Sequence, residues 1–466
     1  MTPWPCSVML IAACLLAGGC VLEPPGAQAE RDRLAAAGRS YEKPFEQRTL
    51  PELTQQPDWP DVLQRAVLAN GELEATYMEW KASMARIAIV GEWPNSGATL
   101  GYSYLFTRQS IKSWDRNTLS VGLDPSVNLS LPFKQAQAAK VAFEDAKARA
   151  ERFRAAKFDL QRRVLIAYYD WALLAEKVRI QREAVGLLKT VSDIADQRLQ
   201  TGGPLPELLK AQTEYELGLN EIANLQTELS SARAGLNALM ARSPDAPLVP
   251  PDHLPQARKI VGEDTRLIQA AVENNPELAA LAREETARRE AVELAKLGFL
   301  PEFYANLSMT GNIERNIFAT ITLPTTFNRI LGEIDEAKAG HQQTDARLRQ
   351  AGADRAAEFA SALYAMRNAQ RQVELFRGII LLKARQNWES SSRAYTVSKV
   401  GLADLLETQR TLLQVQLLIA EARMTREKKL AEMEALAGVD IETFEMPTTR
   451  PTSQPTSRGA TSTATP

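Results

Sequence analysis

The hydrophobic and polar residues of this chain repeat with two different periods. Between residues 118 and 133 (TLSVGLDPSVNLSLPF), every second position is apolar or proline, and mostly small polar residues lie between them. This alternation predicts a β-strand with one apolar face and one polar face. Most of the remaining chain has apolar residues three and four positions apart, which predicts helices. One predicted helix begins at Lys134 and runs for ~65 residues, so it would be ~100 Å long.

The predicted elements occur twice in the same order. Each copy consists of a helix, two strands, a long helix, a glycine-containing turn and another helix. The copies and their strands are residues 61–243, with strands at about 98–107 and 118–131, and residues 264–440, with strands at about 302–310 and 316–323. The repetition indicates an internal duplication.

Three segments lie outside the two copies. Residues 20–60 are rich in proline and are predicted to be an extended segment, and residues 244–263 form a proline-rich connector. Residues 441–466 are a low-complexity tail of proline, threonine and serine, which is predicted to be disordered.

The first 19 residues resemble a bacterial signal peptide, with an apolar run followed by small residues. The sequence LAGGC ends at Cys20 and is similar to the motif at which lipoproteins are cleaved and acylated. Acylation of Cys20 would anchor the mature chain to a bilayer. Cleavage without lipid attachment, or a wrongly assigned start codon, is the alternative. Beyond this segment, no apolar run reaches the ~18 residues that a membrane-spanning helix needs.

Four predicted strands are too few to enclose a lumen, because a small barrel needs ~8 strands. Three identical chains would supply twelve strands and close a barrel by symmetry. The apolar faces would then contact lipid, and the polar faces would line a pore. We therefore predict an α+β membrane protein in which four strands per chain complete a 12-stranded trimeric β-barrel. A soluble sheet packed against a helix is the alternative.

The composition argues against several other classes of function. The formal net charge is −2, which does not favour nucleic acid as a partner. Cys6, Cys14 and Cys20 are the only cysteines, and the two histidines, His253 and His341, are far apart in sequence. We find no glycine-rich phosphate loop, no nucleophile with a paired base and no metal-ligand spacing. We therefore expect a protein that is not an enzyme and that uses no cofactor or metal.

Several short motifs, each present in the order of the duplication, point to one family. They are NPEL with ELAKLGFLPEF, the strand-ending LPF and TLP, and the turns QTGGPLPELLKAQ and SKVGLADLLETQR. In these features, residues 60–440 resemble the TolC-like outer-membrane efflux proteins. The resemblance implies a homotrimeric exit duct of a tripartite efflux pump or type I secretion system. Its barrel would lie in outer-membrane lipid, and a hollow helical coiled-coil barrel would extend into the periplasm.

The same resemblance implies the partners. A periplasmic adaptor (membrane fusion) protein and an inner-membrane RND or ABC transporter would dock below the duct, and the transporter would supply the energy. The competing hypothesis is a periplasm-facing structural coiled-coil lipoprotein that forms no pore.

The two glycine-containing turns match the periplasmic tips of the family. The tip positions are Gly202 and Gly203 in the first copy, and Val400, Gly401 and Leu402 in the second. A helical hairpin needs a positive φ or a close backbone approach at its turn, and glycine permits both. The resemblance implies adaptor docking through exposed tip residues such as Val400 and Leu402. Turn chemistry alone is the other interpretation of these glycines.

Asp404 and Glu407 follow the second turn with a spacing that places them on one helix face. By position they match the acidic pair that lines the closed periplasmic aperture of the family. Three copies would form two carboxylate rings that attract cations. The equivalent residues of the first copy are Glu207 and Lys210, which suggests that the second copy lines the aperture. An ordinary solvated helix face is the alternative.

Overall fold

The computed structural model describes residues 23–92, 98–107, 109–123, 131–260, 263–312 and 314–441. The helices in these ranges are α1 (Ala27–Gly38), α2 (Trp59–Ala69), α3 (Gly71–Gly91), α4 (Pro132–Gln200), α5 (Leu205–Leu239), α6 (Asp264–Asn274), α7 (Pro276–Lys296), α8 (Phe327–Leu375), α9 (Leu381–Thr396) and α10 (Leu402–Ala437). The strands are β1 (Ala98–Tyr104), β2 (Asn117–Leu123), β3 (Glu302–Thr310) and β4 (Glu314–Thr322).

The four strands that the structure describes form one antiparallel sheet in the order β1-β2-β3-β4. The first copy of the duplication therefore pairs with the second through β2 and β3, and β1 and β4 are the two edges. Of the strand predicted at about 118–131, residues 124–130 lie outside the described residues. So do Cys20, the rest of the predicted signal peptide, and residues 442–466 of the predicted tail.

The register gives the sheet two chemically different faces, as the alternation predicted. Ser103, Thr118, Thr310 and Glu314 form one polar row across all four strands, and the hydroxyls of Thr118 and Thr310 are 2.9 Å apart. Leu100 pairs with Val121 in a row on the opposite face. Both side chains are exposed, Leu100 at 76% and Val121 at 42%. The described part of the chain therefore leaves this apolar face uncovered.

Below the sheet, the helices form one layer that keeps the order of the strands. Helices α3, α4, α7 and α8 lie side by side in that order nearest the sheet. Farther down, the order is α5, α4, α10 and then α8 with α9. Helix α4 has 69 residues and is ~100 Å long, so it spans both levels. The core is largest midway along α4, where Tyr168, Tyr169 and Trp171 are fully buried among residues of α2, α5 and α10.

The N-terminal segment is only partly extended. The prediction of an extended segment over residues 20–60 is wrong for α1, whose sequence AQAERDRLAAAG consists mostly of strong helix formers. The prolines on either side of α1 favour an extended chain and gave no indication of the helix-forming residues between them. Residues 23–57, which we call the strap, lie along α3 and α4 and then meet the connector, where the Val249 amide donates to the Gln55 carbonyl at 2.9 Å.

The duplication predicts a single long helix before the second glycine-containing turn. In the structure it is interrupted by one π-helical turn, Phe376–Ile380, between α8 and α9. A π-turn inserts one extra residue into a helix, and a count of heptad positions does not reveal it. In the part of the chain that the structure describes, no helix has an apolar stretch of the length needed to cross a bilayer.

Candidate docking tips and aperture

The turn between α4 and α5 is a Schellman motif. The Gly203 amide donates to the Arg198 carbonyl at 2.7 Å, and the Gly202 amide donates to the Leu199 carbonyl at 3.1 Å. Gly202 has a φ of +96°. A Cβ on Gly203 would lie 2.8 Å from the Arg198 carbonyl oxygen. Position 202 therefore needs glycine for its positive φ, and position 203 needs glycine because the Arg198 backbone lies so close.

The turn between α9 and α10 uses the same motif with a different residue. The Lys399 amide donates to the Ala394 carbonyl at 2.9 Å, and the left-handed position is Ser398, with a φ of +59°. Gly401 instead has a φ of −77° at the N-terminus of α10. The prediction that Gly401 supplies the positive φ or close approach is therefore wrong. In both turns the left-handed residue is the second after the preceding helix, but this turn is one residue longer, so Gly401 falls at the N-terminus of α10.

Alanine substitutions should separate the two turns. Gly203→Ala is expected to lower the melting temperature in detergent, because its Cβ would collide with the Arg198 carbonyl oxygen. Gly401→Ala is expected to leave the melting temperature unchanged or raise it, since its backbone suits any residue and alanine restricts the unfolded chain. A Gly401→Ala variant as unstable as Gly203→Ala would contradict the turn geometry described above.

The structure also changes which tip residues are exposed. Leu402 is only 3% exposed and packs with Leu405 and Tyr395 in the core of the tips. The expectation that Leu402 is an exposed docking residue is therefore wrong for the single chain, and Val400 is half-buried. The spacing of Leu402, Leu405 and Leu406 was the signal for burial, because such residues share one helix face.

Other apolar side chains are exposed at the same end of the molecule. Leu205 is 52% exposed, Leu209 53% and Val397 61%. All three lie within two turns of a hairpin tip. The tips therefore present apolar surface, although from residues that sequence reasoning did not select.

A polar contact joins the two hairpins at the tips. The Tyr395 hydroxyl donates to Glu207 Oε2 at 3.3 Å, and Arg198 Nη1 lies 3.2 Å from the same oxygen. The Arg198 guanidinium also lies over the Tyr395 ring, 4.6 Å from its centroid. Burial raises the pKa of Tyr395. Glu207 is therefore used in packing the two copies together, which distinguishes it from its counterpart Asp404.

Asp404 and Glu407 are both exposed on α10. Among the described residues, neither carboxylate has an ion-pair partner. Glu407 precedes Glu427 by 20 residues, or about five and a half helical turns, so the two side chains leave α10 on opposite sides. Glu427 faces the connector, because it pairs with Arg258. Asp404 and Glu407 therefore face away from the connector.

The connector is fixed to α10 by buried charges. Arg258 Nη1 lies 2.9 Å from Glu434 Oε2, and its Nε lies 3.3 Å from Glu427 Oε2. Glu427 and Glu434 are 1% and 0% exposed, and Arg426 also pairs with Glu427. Burial raises the pKa of Glu434 to about 7, although the charge of Arg258 acts to lower it. Sequence reasoning missed this cluster because its members are about 170 residues apart.

The layer of long helices below a small sheet is the fold of an outer-membrane channel subunit. The outer membrane protein VceC of Vibrio cholerae superimposes with a TM-score of 0.69 at 17% identity, covering 82% of this chain and 96% of that one. The Campylobacter jejuni CmeC outer membrane channel gives a TM-score of 0.68 at 15% identity, covering 86% of this chain and 92% of that one.

The chain belongs to the outer membrane efflux protein family, whose sequence profile matches residues 62–242 and 267–439. A relative is the pyoverdine export outer membrane protein OpmQ of Pseudomonas aeruginosa, which is 24% identical over 452 residues. The match covers 90% of this chain and 94% of OpmQ. The two matched ranges correspond to the two copies of the duplication, and the predicted TolC-like family is confirmed.

Proposed function

We propose that this protein is the outer-membrane exit duct of a tripartite export system, a passive channel rather than an enzyme. The observation that carries the proposal is a sheet with one uncovered apolar face, continuous with helices ~100 Å long. Such a sheet suits lipid on one side and water on the other. Helices of that length suit a passage that leads away from the membrane, and family membership supports the same conclusion.

A homotrimer would close the duct. The sheet has open edges at β1 and β4, which would pair between neighbouring copies. Helix α5 lies below the β1 edge, and α8 with α9 lies below the β4 edge. Helix α5 carries five Glu, one Lys and one Arg, a net charge of −3, whereas residues 364–396 carry six basic and two acidic residues, a net charge of +4. Opposite charges on the two edges favour a head-to-tail ring.

The strap supports an outward position for the proposed lipid anchor. Gly26 lies beside Phe143, which is eleven residues, or ~17 Å, along α4 from the sheet end of the helix. The six residues from Cys20 to Gly26 can span at most ~20 Å. An acyl chain on Cys20 could therefore reach the level of the sheet from the strap side. We infer that the strap and connector lie outside the duct, since they would obstruct it from within.

The tips are the proposed site for a periplasmic adaptor protein, which would join the duct to an inner-membrane RND or ABC transporter. Gly202 and Gly203 shape the first turn and Ser398 shapes the second, which also contains Val400 and Gly401. Leu205, Leu209 and Val397 supply the exposed apolar surface. Asp404 and Glu407 lie on the side of α10 opposite the connector, which is the lumen side if the connector is outside. Three copies would place six carboxylates around the aperture, where they would attract cations.

Planar-bilayer recording of the detergent-purified protein tests the proposal. We expect a trimer that resists SDS until heated and that conducts ions. Asp404→Ala with Glu407→Ala is expected to raise the conductance and reduce block by divalent cations, because both proposed carboxylate rings are removed. Glu421→Ala with Glu432→Ala, which also removes two carboxylates from α10, is the matched control.

A monomer without conductance would contradict the proposed duct and favour a structural lipoprotein. A conducting trimer whose conductance and cation block are unchanged in the Asp404 and Glu407 variant would contradict only the aperture role.

A further inference from the structure

A cleft of about 510 Å³ lies between α3, α4 and α7, on the sheet side of the molecule. Its floor consists of small and apolar residues of α4, including Ala138, Val141 and Ala148. Its walls carry four arginines: Arg86 from α3, Arg149 and Arg152 from α4, and Arg288 from α7. Three helices therefore direct guanidinium groups into one concave space.

The positive charge of this cleft is only partly neutralised. Arg149 pairs with Glu79 at 2.9 Å, and Arg152 pairs with Glu284. Asp145 lines the same cleft, and burial raises the pKa of its carboxyl group, whereas the charges of all four guanidiniums act to lower it. Among the described residues, Arg86 and Arg288 have no ion-pair partner. Four arginines thus face three carboxylates, and the two unpaired guanidiniums leave donors available to a further anion.

Arg152 is only partly buried, with 44% of its side chain exposed. The pKa of Arg152 is lowered by burial and then by the charge of Arg149. Guanidiniums that crowd one another in this way are stabilised by any anion that enters between them.

The strap determines which way the cleft faces. Arg33 of the strap pairs with Glu151 on α4 at 3.0 Å, and Gly26 lies beside Phe143. Phe143 and Glu151 share one face of α4, whereas Asp145 and Arg149 share another that is about 200° away, because each residue adds ~100°. The strap and the cleft therefore lie on opposite faces of the helical layer.

We propose that the four arginines form an anion-binding collar in the lumen of the duct, which selects organic anions carrying carboxylate, phosphate or sulfate groups. This inference rests on the proposed function, in which the strap lies outside. Three copies would place twelve guanidiniums at one level near the membrane, far from the acidic aperture. The small apolar floor of each cleft would accept the carbon skeleton of the same cargo.

The test uses the full-length trimer in planar bilayers under a potassium chloride gradient, with citrate as the anionic probe. Arg86→Ala with Arg288→Ala removes the two unpaired guanidiniums from the cleft. We expect the reversal potential to shift towards that of potassium and the affinity for citrate to fall about tenfold or more, since charge-assisted hydrogen bonds are lost.

Arg33→Ala with Arg283→Ala is the matched control. It also removes two arginines per copy, but from the strap face, where Arg33 pairs with Glu151 and Arg283 lies 3.7 Å from Glu144. We expect this variant to keep the wild-type reversal potential and citrate affinity. Equal shifts in both variants, or no shift in either, would overturn the collar.

A second measurement keeps the collar testable if the wild-type protein forms no pore. Citrate is expected to raise the melting temperature of the wild type and of the control, but not that of the Arg86 and Arg288 variant. A non-conducting protein would contradict the proposed duct. Absence of a citrate-dependent melting shift in the wild type would contradict the collar.

Discussion

Replacing Val121 with arginine is expected to prevent assembly of the protein in the outer membrane. Val121 lies in the middle of the described sheet and pairs with Leu100 on the uncovered apolar face. A charged residue facing lipid near the centre of a bilayer costs ~2–4 kcal/mol, and a trimer contains three such residues. We expect loss of the SDS-resistant trimer from outer-membrane fractions, measured by unheated gel electrophoresis.

Ser120→Arg is the matched control, because Ser120 is the adjacent residue and faces the polar side of the same strand. The substitution removes one long hydrogen bond, which the Ser120 hydroxyl donates to the Gly101 carbonyl at 3.3 Å. We expect this variant to assemble, with altered conductance only. If Ser120→Arg blocks assembly and Val121→Arg does not, the two faces have been assigned the wrong way round.

Replacing Arg258 with alanine is expected to cause a large loss of stability in the helical part of the protein. The substitution leaves the buried carboxylate of Glu434 without its arginine partner and removes one of the two arginines that pair with Glu427. Removing one partner of a buried ion pair typically costs ~3–5 kcal/mol. Thermal unfolding in detergent, followed by circular dichroism at 222 nm, would measure the resulting fall in melting temperature.

The effect of Arg258→Ala should depend on pH. The pKa of Glu434 is raised to about 7, so the folded protein binds this proton more tightly than the unfolded chain does. The contribution of Glu434 to stability is therefore present at acid pH and is lost as the pH rises through about 7. We expect Arg258→Ala to be more destabilising at pH 8 than at pH 5.

Glu434→Gln combined with Arg258→Ala serves as the control for this dependence. Glutamine cannot ionise, so the difference between pH 5 and pH 8 should shrink and part of the stability should return. A loss of stability from Arg258→Ala that is equal at the two pH values would show that Glu434 is not the titrating group.

The repeated elements could be predicted because they depend on local chemistry. Alternation around Val121 identified the strand and its two faces, since neighbouring side chains on a strand point in opposite directions. Glycine at position 202 identified a left-handed turn. Gly401 was misassigned because nothing local distinguishes a helix N-terminal glycine from a left-handed one, and Ser398 gave no signal for the position it occupies.

The candidate site was predicted less well than the fold. Asp404 and Glu407 were placed on one helix face by spacing alone, but their direction relative to the connector required the position of Glu427. The resemblance to the family implies an exposed Leu402, whereas packing between the two hairpins buries it. The arginine cleft could not be anticipated either, since Arg86, Arg149 and Arg288 come from three separate helices.

By itself, the sequence determined the duplication, the long helices, the short two-faced strands and the family, because periodicity and turn residues act over a few positions. Only the tertiary structure decided which copy's strands pair at the centre of the sheet, which tip residues are buried and which charges meet. Those outcomes depend on contacts between residues that are up to about 280 positions apart, such as Arg154 with Gly438. Packing selects such contacts from many that the local pattern permits.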